Sequence, residues 1–187
     1  KSVTWIIPHK ASDDEFRLTY ISRGMLSTSE LSIVQADKEI LEFAKRNIKM
    51  FNIAKSLFNA KNGEEATKIY ERVEKYEGIS DRMEVEIAKY LTKAAEGRLS
   101  NVSKKNVHAL LRVVSEIESI GDSSFNLAKT IMRKRNDGKE YSPEMTKRVE
   151  NMFVLVDQAL EEMMQVLNEN MADMTMSNIR ASLKIED

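Results

Sequence analysis

Two short stretches pair a glutamate with an aspartate four positions later: Glu77-Gly-Ile-Ser-Asp81 and Glu118-Ser-Ile-Gly-Asp122. On a helix, each pair lies on one face with about 6 Å between Cβ atoms, and like charges at that spacing repel. Four such carboxylates offer only oxygen donors, which suit hard cations: Mg²⁺, Ca²⁺, Mn²⁺ or iron. The chain has no Cys, which removes disulfides, thiolate catalysis and Cys-based zinc sites. It has 2 His and no Glu-x-x-His, so the ligand set of a ferritin-like di-iron enzyme is missing. The competing reading is that these are solvated acids paired with Lys or Arg along a bundle. The chain carries 30 acidic residues, so the spacing alone leaves both readings open.

Helical periodicity dictates what must position these acids. After residues 1–26, a connector with a short ordered stretch around Phe16 to Ile21, apolar residues recur at helical spacing. Helix 1 is expected from about Thr28 to Ala60, with Ser27 and Glu30 in the form of a capping box. Helix 2 is expected from Glu64 to Glu96, with a seam of Ile69, Val73, Tyr76, Ser80, Met83, Ile87, Tyr90 and Ala94. Its steps alternate four and three, as in a bundle. Helix 3 spans about Val102 to Arg135, with Val107, Leu110, Val114, Ile117, Gly121, Ser124, Ala128 and Ile131 along its seam. Helix 4 starts with Ser142 as N-cap and Pro143 as first helical residue. Its apolar line runs through Met145, Val149, Met152, Val156, Ala159, Met163 and Val166 to about Asn170, and residues 174–187 begin a fifth helix. Short links make neighbouring helices antiparallel. The expected architecture is all-α: a long antiparallel three-helix bundle over 27–136 plus a partial second repeat over 137–187.

The register sharpens the chemistry. If the turn between helices 2 and 3 is centred between Leu99 and Ser100, Glu77 falls level with Asp122, and Asp81 with Glu118. Gly78 and Gly121 also fall level, where two missing side chains would let the backbones approach. Each carboxylate follows a seam residue by one position, so the acids flank the interface and face water, phosphate or a partner's side chain. Glu42 of helix 1 lies near the same height and is a candidate extra ligand. Asp37 sits on the apolar side of helix 1, either assisting a cation or lying at the bundle edge.

Composition removes other classes. Net charge is −1 with the signs mixed along the chain, so nothing points to nucleic acid. No apolar run reaches the ~20 residues of a membrane span. The chain opens on Lys1, which reads as a piece of a longer protein. No Gly-rich phosphate loop and no nucleophile–base arrangement is present, so no catalytic residues are expected. His108 on helix 3 lacks the neighbourhood of a phosphotransfer site and reads as a surface or packing residue; His9 lies in the connector. The 11 Met concentrate late in the chain. They read mainly as filling for helix 4, with some of its apolar face left uncovered for homodimer contacts.

Glu118-Ser-Ile-Gly-Asp122, followed by Ser-Ser-Phe-Asn-Leu-Ala-Lys129, resembles the third helix of a PhoU repeat, and Glu77 to Asp81 resembles the matching motif of the second helix. The segment Leu26 to Ile40 resembles the region that follows the membrane portion of bacterial sodium/phosphate cotransporters. The resemblance implies a regulatory domain on the cytoplasmic face of the bacterial inner membrane, modulating phosphate uptake through the transporter's membrane domain. It also implies iron, Mn or Mg at Glu77, Asp81, Glu118 and Asp122, with phosphate as a further ligand at the metal. Two alternatives stand beside it: a free-standing PhoU-type phosphate-signalling regulator, and a metal-free helical interaction module.

Overall fold

A computed structural model describes residues 15–21 and 29–183, with side-chain surroundings for 15–21 and 31–169. Four α-helices follow one another: α1 (Ser29–Phe58), α2 (Gly63–Ala95), α3 (Asn101–Asn136) and α4 (Pro143–Leu183). The expected capping box at Ser27 lies outside the described residues. The other boundaries have visible causes. Asn62 caps α2, its side chain accepting from the Glu65 N–H at 2.9 Å, while Glu65 reaches back to the Lys61 N–H at 2.7 Å. This reciprocal pair satisfies donors that the first turn leaves open. Ser100 caps α3 through the Ser103 N–H, and Ser142 caps α4 through the Met145 N–H ahead of Pro143. Gly138, at φ 66°, closes α3 in a left-handed turn that an L side chain would strain.

Helices α1, α2 and α3 form the antiparallel three-helix bundle, and every expected α3 seam residue is buried. The core divides in two along the bundle. One cluster includes Ile33, Phe43, Met83, Ile87 and Val114; the other includes Met50, Leu57, Val73, Tyr76 and Phe125. Between them lies a polar layer. Asn47 is buried, donates to the Phe43 carbonyl at 3.2 Å and accepts from Ser80 Oγ at 3.0 Å.

This layer separates the two glycines that the register placed level. A Cβ on Gly121 would overlap Asn47 Oδ1 and stand 3.0 Å from Ser80 Oγ. Gly78 has nothing within 4 Å of such a Cβ. Only Gly121 therefore serves a close approach. Gly121→Ala is expected to cost about 1–3 kcal/mol by overpacking a buried hydrogen-bonded layer. Gly78→Ala is expected to stabilise by about 1 kcal/mol through helix propensity. Urea unfolding of the two variants checks the opposite signs; a matching loss in both would contradict this packing.

Helix α4 departs from the expected reading twice. It is one unbroken helix of 41 residues to Leu183, so residues 174–183 of the segment assigned to a fifth helix belong to the fourth, and 184–187 lie outside the described residues. No Gly or Pro interrupts it after Pro143. Its buried line is also rotated from the expected one. Phe153 and Leu160 are buried, while Met145, Met152 and Val166 are exposed. The cause is its partner: α4 packs along α1. The Phe153 ring stands edge-on to Phe51 at 6.1 Å and Phe58 at 5.6 Å, and Lys55 Nζ meets Asp157 at 2.6 Å.

The stretch Phe16 to Ile21 is held against the bundle by a buried acid. Glu39 Oε2 accepts the backbone N–H groups of Thr19, Tyr20 and Ile21 at 2.8, 2.6 and 3.2 Å. Arg82 on α2 lies over the Phe16 ring, and Arg46 on α1 donates to the Glu15 carbonyl. Among the described residues, no helix is long and apolar enough to cross a membrane.

Candidate metal centre

The acids of α2 and α3 converge where the seam register put them, on the flank of the bundle. Carboxylate oxygens of Glu77, Asp81 and Asp122 all lie within 4.8 Å of one another. Glu77 is half-buried; Asp81 and Asp122 are exposed. Donors around one hard cation at 2.0–2.6 Å stand no more than about 5 Å apart across the ion. Three oxygens at these separations fit one such ion, with its remaining positions open to water or an anion.

Glu118 stands beside this trio, near enough to Asp122 to share its electrostatic field. Burial, followed by the charges of Asp122, Glu84 and Asp81, pushes the Glu118 carboxyl up to about 7. Glu77 is raised by burial and then by Asp81, with Asp122 and Glu74 adding, while Lys129 opposes them. Burial is the largest cause of both shifts, and the neighbouring carboxylates add a repulsion that a cation would relieve.

Glu84 is the residue that sequence reasoning missed. It is raised by burial and by Asp81 and Asp122, so it belongs to the same acidic field. Its signal was available: it follows Asp81 by three positions, on the same helical face. Lys129, seven positions after Asp122, lies over the Phe125 ring at 3.8 Å and is the cation nearest in effect to Glu77. Glu42 is not drawn into the trio. Its carboxylate meets Lys45 Nζ at 2.7 Å and lines a pocket with Arg46, Lys49 and Tyr76 on the α1–α2 face. Asp37 is fully buried, and neither of its oxygens has a hydrogen-bond partner among the described residues. His108 is exposed on α3, and His9 lies outside the described residues.

Two helices of an antiparallel bundle thus present a shared carboxylate face at mid-length. Residues 40–131 match the family profile described as the PhoU domain. The match spans the two Glu-x-x-x-Asp stretches, the seams of α2 and α3, and α1 from Ile40 onward. No curated protein and no solved structure matches the chain. PhoU domains are regulatory rather than catalytic, and PhoU proteins bind metals. Among the described residues, Glu77, Asp81 and Asp122 form an acidic cluster that could hold a metal ion.

Proposed function

We propose that this chain regulates phosphate uptake as a PhoU-type signalling module, through a cation held by Glu77, Asp81 and Asp122 with Glu118 and Glu84 at its rim. The observation that carries this reading is the meeting of three carboxylate oxygens from two helices inside the PhoU domain. Iron, Mn²⁺ and Mg²⁺ all accept an all-oxygen set. The open side of the ion is where phosphate, or an acidic or hydroxyl group of a partner, would bind. The test is phosphate uptake in the native host with Glu77→Ala/Asp122→Ala replacing the wild-type gene. Uptake is expected to stay high in phosphate-rich medium at unchanged protein level. Normal repression in the variant would sink the cation's part in regulation.

A second reading has its own support. Glu39 anchors Thr19 to Ile21 onto the bundle, so a displacement of the bundle would pull on whatever precedes the segment. Such a mechanical link suits a domain attached to the membrane portion of a sodium/phosphate cotransporter, on the cytoplasmic face of the inner membrane. The reading frame upstream of Lys1 decides this. Membrane spans encoded there would favour the attached form, and a start codon close to Lys1 would favour the free-standing regulator.

A further inference from the structure

Packing on α1 occupies one side of α4 and leaves a second apolar line bare. Met145, Met152, Leu155 and Val166 are 51, 58, 58 and 53% exposed. Met145, Met152, Ala159 and Val166 recur every seven residues, the spacing of a helix–helix seam, over about 32 Å of helix at 1.5 Å per residue. Beside this line α4 and α3 enclose an open cleft of about 400 Å³, walled by Val113, Ile117, Ile120, Met163 and Leu167.

We infer that this strip docks α4 of a second copy of the chain, in an antiparallel two-fold dimer centred between Leu155 and Val156. The line is its own complement about that point. Met145 falls opposite the partner's Val166, and Met152 opposite the partner's Ala159. The two Leu155 side chains meet near the axis. Charge beside the apolar line agrees with the same centre: Arg148 stands next to it in the first half of α4 and Glu162 in the second, while Glu144 and Glu150 also lie in the first half. Arg148 comes within one residue of level with the partner's Glu162, and symmetry makes that contact twice. Glu150 and Glu161 would also fall level, but helical period places them on the far side of α4. In the single chain Arg148 meets Glu144 at 2.6 Å, with both side chains about three-quarters exposed. A surface pair of that kind is worth little, so exchanging it for the partner's Glu162 costs little. Self-complementarity of apolar spacing and charge about one point selects a second copy over an unrelated partner, which has no reason to match it.

The test is the solution mass of the full chain across protein concentration, by light scattering and sedimentation. The wild type is expected to pass from monomer to dimer as concentration rises. Leu155→Glu, at an exposed position, is expected to stay monomeric with unchanged helicity. Arg148→Glu and Glu162→Arg are each expected to weaken dimerisation about tenfold or more, because each sets like charges against one another at both symmetric contacts. Arg148→Glu/Glu162→Arg is expected to restore it. A wild type monomeric at every concentration would overturn the inference. So would a dimer indifferent to Leu155→Glu, or a double variant no tighter than the singles.

Discussion

Addition of Mn²⁺ or Fe²⁺ at a hundred times its dissociation constant is expected to raise the unfolding free energy by about 3 kcal/mol, since an ion that binds only the folded chain stabilises it by mass action. For a chain of this length, that is a rise of about 5–10 °C in Tm. Glu77→Ala/Asp122→Ala is expected to lose this gain entirely, because two of three converging donors are gone. The same variant in chelator is expected to match or exceed the wild type. Glu77, Glu84 and Glu118 are all raised, by burial first and by neighbouring carboxylates in addition, so removing two charges relieves the repulsive part that the cation-free protein bears. Differential scanning calorimetry with and without cation separates the cases. Solvated acids that merely decorate the bundle would give no cation-dependent shift in either protein. A variant that gained as much as the wild type would move the site elsewhere.

Asp37→Asn is expected to stabilise the protein by about 4 kcal/mol at pH 8 and by almost nothing at pH 4. Asp37 is fully buried, its oxygens have no hydrogen-bond partner among the described residues, and burial pushes its carboxyl from the ordinary 3.8 to about 7. Each pH unit of that gap corresponds to about 1.4 kcal/mol. The folded-state value is the raised one, so the folded protein keeps the proton longer than the unfolded chain does. The stability this proton confers is complete below about pH 4, declines between 4 and 7, and is gone above 7. Asn carries no charge at any of these values, so the difference between variant and wild type isolates this residue. Urea midpoints from pH 4 to pH 8 measure it; a difference independent of pH would show that Asp37 titrates normally. The neighbours on α1 do not compensate the charge. Lys38 lies over the Tyr20 ring, and Glu39 is engaged with Thr19 to Ile21.

Asp37 shows why some of the molecule was illegible in the sequence. It lies on the heptad line of Ala44, Phe51 and Phe58, and the last two touch Phe153 of α4. Period alone placed Asp37 on the apolar side of α1 but could not say that its carboxylate would be buried with no hydrogen-bond partner among the described residues. The same ignorance misassigned the buried line of α4. Two adjacent apolar stripes, one through Met152 and Val166 and one through Phe153 and Leu160, satisfy helical spacing almost equally well. Only the position of α1 chose between them. Glu118 was expected as an equal member of the acidic set, and it stands beside the trio against Asp122 because level backbones do not fix where a long side chain turns.

The sequence by itself determined the three-helix bundle, its seams, and the pairing of Glu77 with Asp122 across α2 and α3. These follow from local rules: the 3.6-residue period, caps at Asn62, Ser100 and Ser142, and short links that force antiparallel neighbours. Tertiary structure decided which glycine serves a close approach, which acids share a site, which buried acid goes unpartnered, and which face of α4 remains open. Each of these depends on distances between side chains far apart along the chain. Such distances are set by how whole helices rotate against one another, which no local pattern encodes.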